Sequence, residues 1–171
     1  VGISIDNTIT DGDVTIKTWK NTSVLIEATK KGNKDAVGAT QIAIHKDKDV
    51  LTITTVGSDN IKPCNIDYTL LVPEGCSLDS VATKTGKINI YNLQNKIVAR
   101  SCNGKIEMNN VSGTIETSNK KGEIIINTNT IMPESTIFAF SEQGKIHLSV
   151  PKKTNAVLTA ECKKGKIASN V

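Results

Sequence analysis

The sequence predicts an all-β chain: a right-handed parallel β-solenoid of 18–22-residue coils, preceded by a β-strand-rich N-terminal segment continuous with it. Three observations carry that prediction. First, a short motif recurs. Gly86-Lys87-Ile88-Asn89-Ile90 returns as Gly104-Lys105-Ile106-Glu107-Met108 and as Gly122-Glu123-Ile124-Ile125-Ile126, 18 residues apart each time, and weaker copies start at Gly144 and Gly165 after steps of 22 and 21. Second, Asn95-Lys96-Ile97 and Gly113-Thr114-Ile115 sit midway between the first three glycines, which makes the finer period 9. A fixed period of this size marks a chain that stacks on its own neighbouring turn. Third, aromatic residues are only 3% of 171 while β-branched runs recur throughout, so a core can be filled only by Ile, Val, Leu and Ala. Right-handed winding is the hand that parallel crossovers take.

Taken in order, Ile3-Ser4-Ile5, Val14-Thr15-Ile16 and the stretch 23–28 alternate as strands do. Asp11-Gly12-Asp13 reads as a turn between the first two, because Gly accepts positive φ and Asp bonds its own backbone. Residues 30–38, charged and with two glycines, fit a loop or a single helical turn. Strands are expected again at 41–45, 50–55 and 65–72, the last ended by Pro73, which cannot donate to a ladder.

Registering the repeats on their glycines assigns the interior. Two and four residues after each glycine stand Ile88, Ile106, Ile124, Ile146, Ile167 and Ile90, Met108, Ile126, Leu148, Ser169. Ile97, Ile115, Ile137 and Leu158 precede the glycines by seven; Val81, Ala99, Thr117, Ala139 and Ala160 by five; Thr83, Ser101, Asn119, Ser141 and Cys162 by three. Alternation puts all of these on one face of each strand, with a large branched wall facing a small one. Gly or Asn at each corner supplies the left-handed backbone a turn needs. Residues 128–136 and 151–155 lengthen two coils and should bulge from the corner opposite the glycines. The expected division is 1–72 as N-terminal segment or cap and 73–171 as solenoid repeats, within one continuous domain.

The period also excludes relatives of this architecture. Left-handed hexapeptide helices repeat apolar residues every 6, not 9, and calcium-bound rolls need Asp in each nonapeptide, yet no Asp follows Asp79. No cofactor is expected. The cysteines Cys64, Cys76, Cys102 and Cys162 form no C-x-x-C pair and adjoin neither His45 nor His147, which speaks against zinc. A Cys64–Cys76 disulfide is compatible with the spacing, but sequence does not define connectivity. No apolar run reaches the length of a membrane span and no signal peptide is visible. The chain opens at Val1 rather than Met, so an export signal or anchor is expected upstream of it.

The net charge of +4 is uneven: residues 1–72 carry 8 basic against 9 acidic groups, and 73–171 carry 13 against 8. The excess is nearly all Lys, with Arg100 the lone arginine, and aromatics are scarce, so nucleic acid is not an expected partner.

Several stretches resemble the bacterial putative-adhesin family of unknown function, close to the head-GIN auto-transporter adhesins. The matching pieces are Val24-Leu25-Ile26-Glu27-Ala28-Thr29-Lys30, Leu51-Thr52-Ile53, Tyr68-Thr69-Leu70-Leu71-Val72-Pro73-Glu74-Gly75, Thr85-Gly86-Lys87-Ile88-Asn89-Ile90 and Asn103-Gly104-Lys105-Ile106-Glu107. The resemblance runs from about Val14 to the end and implies an exported or envelope-associated β-solenoid without catalytic residues. The four cysteines and two lengthened coils depart from the family pattern.

The best candidate surface is a lysine strip. Lys87, Lys105, Lys145 and Lys166 follow their glycines, and Lys84, Lys120 and Lys163 lie two before, so all should line one edge. Such a strip suits an anionic cell-wall polymer, lipopolysaccharide, an anionic lipid surface or an envelope protein. The same lysines also serve solubility and edge protection, and Glu107, Glu123 and Glu142 interrupt them. Thr83, Ser101, Asn119, Ser141 and Cys162 form an interior polar ladder, not a nucleophile array, because no His or carboxylate column accompanies them. His147 should point to solvent. The function expected is therefore a non-enzymatic binding or scaffold module of the cell envelope or exterior. The alternatives are a rod that self-associates end to end, or a polysaccharide-active β-helix enzyme, which would need the paired carboxylates missing here.

Overall fold

The computed structural model describes residues 1–152, 154 and 158–170, with backbone alone for 158–166 and 168–170. The chain is all-β apart from one short helix. Its strands are β1 (Gly2–Asp11), β2 (Val14–Trp19), β3 (Leu25–Lys31), β4 (Gln41–Asp47), β5 (Val50–Val56), β6 (Asn65–Pro73), β7 (Ser77–Thr85), β8 (Ile88–Tyr91), β9 (Ile97–Asn103), β10 (Ile106–Val111), β11 (Ile115–Thr128), β12 (Ile137–Ser149) and β13 (Leu158–Asn170), with α1 (Lys34–Ala39) before β4. They form one mixed sheet of 13 strands, curled over on itself like a half-barrel.

The curl follows from β11, which belongs to two legs. Its first half pairs in parallel with β9 and its second half with β10, so the sheet path β10-β11-β9 doubles back. Register follows the repeat. Ile88 lies opposite Ile106, Ile106 opposite Ile124, and Ile124 opposite Ile146. On the other leg Val81, Ala99, Thr117 and Ala139 align in turn. These columns are buried and form one continuous core between the legs. Each isoleucine taken from water contributes roughly 1.5–3 kcal/mol. Ile167 departs from expectation: it is 48% exposed, because its strand, β13, has only β12 beside it among the described residues.

The corner between the legs is a column of glycines. A Cβ on Gly122 would lie 2.1 Å from the carbonyl oxygen of Gly104, and its φ is +135°. Gly104 in turn would meet the carbonyl of Gly86 at 1.9 Å. Nothing larger fits where backbone stacks on backbone. The opposite corner uses asparagine in the left-handed region, Asn92 (φ 61) and Asn110 (φ 57), with Asn110 Nδ2 donating a hydrogen bond to Asn92 Oδ1 at 2.7 Å.

The N-terminal strands extend both legs. β1 lies between β5 and β7, and β2 between β6 and β8, all in parallel. Asp11-Gly12-Asp13 is therefore the first glycine corner as well as a turn: Gly12 stacks on the Ile66 carbonyl, and its N–H bonds Thr85 O at 2.9 Å. β3 and β4 then close the near edge by antiparallel pairing with β6 and β5. Of the segment 30–38, Lys30 and Lys31 end β3 and Lys34 begins the helix α1, capped by Asn33, whose side chain accepts from Ala36 N at 2.8 Å. The N-terminal strands close around a polar cluster. Thr55 Oγ1 is 2.7 Å from Asn7 Oδ1 and 2.8 Å from the Tyr68 hydroxyl, while Asn7 Nδ2 donates to Ile66 O. Cys64 and Cys76 are buried free thiols rather than a disulfide, and burial pushes the Cys76 thiol up.

Candidate functional site

The strand register decides where each predicted lysine goes, and it divides the strip into two columns. Before the glycine corner, Lys84, Cys102, Lys120 and Glu142 succeed one another on the outer face. After it come Lys87, Lys105, Glu123 and Lys145, with the Lys166 backbone paired to that of Lys145. The side chains of Lys163, Lys166 and Cys162 lie outside the described residues. Lys84, Lys87, Lys120 and Lys145 are exposed.

Lys105 is the exception. Its Nζ is 2.6 Å from Glu107 Oε2 and 3.9 Å from Glu123 Oε2, and it is only half-exposed. The hydrogen bond to Glu107 raises the Lys105 pKa, while the bonds from Lys105 and Asn109 hold the Glu107 carboxyl below its ordinary value. Glu123 also lies 3.3 Å from His147 Nε2. His147 does face outward, but beside a carboxylate. The second column is thus locally neutralised at its middle, which leaves the first as the better cation surface.

A groove of about 360 Å³ opens on that first leg. Strand alternation explains it. Ala82, Arg100, Ser118 and Phe140 are neighbours across β7, β9, β11 and β12, out of phase with the buried Val81, Ala99, Thr117 and Ala139. The small Ala82 and Ser118 leave space that the larger Arg100 and Phe140 wall, and Cys102, Lys120 and Glu142 form the next row. Arg100 is bridged to Glu116 at 2.5 Å, with both side chains 50% exposed, so the guanidinium is oriented but solvated. An apolar floor with two cations at its side suits an anionic group carried on an apolar body.

Sequence reasoning found Lys120 but missed Arg100 and Phe140 as site residues. Their signal was available: Phe138 and Phe140 alternate with Ile137, Ala139 and Ser141, which places both rings outside. The interior ladder behaves as expected of structure. Thr83 Oγ1 bonds Ser101 Oγ at 3.3 Å, and no described carboxylate or imidazole is bonded to Thr83, Ser101, Asn119 or Ser141. Among the described residues no group of three His, Cys, Asp or Glu side chains is placed to hold a metal ion, and no helix is long and apolar enough to cross a membrane.

No family model matches the chain, and no curated protein matches it. Solved structures do. One is a putative cell adhesion protein from Clostridium sporogenes, with TM-score 0.51 and 8% identity, covering 98% of this chain and 91% of that one. Another is a putative adhesin from Bacteroides fragilis, with TM-score 0.45 and 16% identity, covering 99% of this chain and 91% of that one. At the identity of the first, the likeness is one of fold: the same curled all-β arrangement accommodates a very different sequence.

Proposed function

We propose that this protein is a non-enzymatic binding module of the cell surface or envelope, of the adhesin type and near the head-GIN relatives. Its curled sheet is read as a right-handed β-solenoid of 18–22-residue coils, with residues 1–72 as cap and 73–171 as repeats of one domain. The observation that carries the function is the outer groove, where Arg100 and Lys120 flank an apolar floor bounded by Phe140. A fold shared with a protein described as a cell adhesion protein supports the same reading. The ligand is an anionic polymer of an envelope, with Lys84, Lys87, Lys120 and Lys145 extending the field around the corner.

The test is retention on immobilised inorganic polyphosphate across a salt series. Exposed cations act through a field that salt screens within about 10 Å at 0.1 M, so retention should fall as salt rises. Lys84→Glu with Lys120→Glu should remove most of it, while Lys105→Glu, already neutralised by Glu107, should change it least. Equal effects at all three positions, or none, would refute the groove as the binding surface.

A further inference from the structure

The core is so fully aliphatic that aromatic residues are left over. Of one Trp, two Tyr and two Phe, only Tyr68 is buried; Trp19, Tyr91, Phe138 and Phe140 all lie at the surface. Phe140 belongs to the groove above, and Lys17 Nζ already sits 5.6 Å from the centroid of the Tyr91 ring. Trp19 is different. It ends β2, opposite Pro73, where the chain bends through residues 20–24 before β3. Its indole Nε1 donates to Ser23 O at 2.8 Å, which fixes the ring in place. A half-exposed indole is thereby held rigid beside a cavity of about 310 Å³, lined also by Lys20, Asn21, Thr22, Pro73 and Glu74.

We infer that this cavity is a binding site for a neutral pyranose sugar. A pyranose offers a patch of C–H groups on one ring face and hydroxyls around its rim, and the cavity is built in the same way. Trp19 lines the cavity, and an indole is a flat apolar platform that loses little entropy on binding when its N–H is already bonded. Around it the Glu74 carboxylate accepts hydrogen bonds, Lys20 donates, and Thr22 does either. The Asn21 side-chain oxygen is engaged by the Thr22 N–H at 3.1 Å, which turns the amide into a donor. Among the described residues Glu74 and Lys20 are in no ion pair, so both are available to hydroxyls. Their opposite charges leave the cavity near neutral, which selects against the anionic ligand of the groove. A single aromatic does not make the cage that a quaternary ammonium needs. The volume, at the small end for ligand sites, suits about one or two sugar rings. This deepens the surface-binding reading by naming a second ligand class, and rests on that reading only for the presence of glycan nearby.

Trp19 is the sole tryptophan, so its emission reports the site directly. The full chain is titrated with methyl β-glucoside, methyl β-galactoside, N-acetylglucosamine and their short oligomers, one set representing bacterial wall glycan and the other surface glycoconjugates. A saturable shift or quench with at least one sugar is expected, weakened about tenfold or more by Glu74→Ala, the loss of roughly one good polar contact. Saturation-transfer NMR should show that sugar bound to the native chain and to W19F but not to W19A. If W19A does not fold by circular dichroism, W19F and Glu74→Ala carry the test. Absence of a saturable response to every sugar, or a response indifferent to Glu74→Ala and Asn21→Ala, overturns the assignment. Polyphosphate retention measured on the same preparations separates the two readings: Lys84→Glu with Lys120→Glu should remove most of it and leave the sugar response intact.

Discussion

The two ends of the sheet reach the same cross-section by different routes. From β7 to β12 the strands pair in parallel at a nearly constant offset along the chain, so Ile88, Ile106, Ile124 and Ile146 meet their own counterparts. Between Gly2 and Pro73 the legs are assembled from distant pieces, with β5 and β6 returning beneath β1 and β2, and β3 and β4 closing the edge in antiparallel. Both ends need the glycine corner, since Gly12 crowds the Ile66 carbonyl as Gly122 crowds that of Gly104. Only the ladder needs repetition, because only there does each residue face a copy of itself. In the cap each side chain is matched to a particular partner, as Asn7 is to Thr55 and Ile66. Close backbone stacking is thus general to the molecule, while periodicity is a local consequence of chain order.

Glycine substitution probes that contrast with the largest effect. Gly122→Ala forces a Cβ against backbone at 2.1 Å in a conformation L-residues avoid, and should cost about 4 kcal/mol or more. Gly38, in the cap helix, has nothing within 4 Å of an added Cβ, so Gly38→Ala should stabilise by about 0.5–1 kcal/mol. Denaturant midpoints read both, and a mild loss at Gly122 would mean that the corner yields. A middle-sized contrast comes from packing. Ile106 is fully buried in the ladder, so Ile106→Ala should cost about 2–5 kcal/mol, whereas Ile44 on the cap edge is 56% exposed and Ile44→Ala should stay within about 0.5 kcal/mol. Comparable losses at the two sites would show the cap edge to be packed as tightly as the ladder.

The smallest effect is electrostatic. Glu107 is held below its ordinary value of 4.5 by bonds from Lys105 and Asn109. A depressed carboxyl contributes stability that is present above the unfolded value and disappears as pH falls through the folded one. The same contact raises Lys105 above 10.5 and is counted once. Glu107→Gln should therefore cost about 1 kcal/mol or less near neutral pH, and the cost should shrink as the pH falls below 4.5 and through the folded value, as read from urea midpoints along a pH series. A cost that persists in acid would trace to packing instead of charge.

Much of the ladder was legible in the chain because stacking makes side-chain identity periodic. The inward columns, the polar ladder of Thr83 and Ser101, and Asn95 and Gly113 near the second corner could all be read from spacing, whereas the left-handed Asn92 and Asn110 three residues earlier were not singled out. Ile167 misled because its position in the motif carries no information about whether a further strand covers it. Gly12 was legible as a turn but not as a corner, since the glycine it stacks beneath, Gly86, is 74 residues away. The candidate site was half legible. Lys120 announced itself by repetition, whereas for Arg100 and Phe140 strand alternation showed only that they face outward, and nothing in the spacing showed that they would wall a groove.

By itself the sequence determined the all-β class, the pairing offset of the later strands and which face of each turns inward, because these depend on residues at a fixed spacing. Tertiary structure decided the rest: the order in which β5, β1 and β7 stack, the antiparallel closure of the edge, the pairing of Lys105 with Glu107, and the cavities beside Phe140 and Trp19. Those features depend on contacts between segments that share no spacing rule, and on the size of side chains brought together from different strands. A recurring spacing constrains what lies inside because successive paired strands fill the same buried columns; it leaves the outer surface open, and that is where binding is proposed.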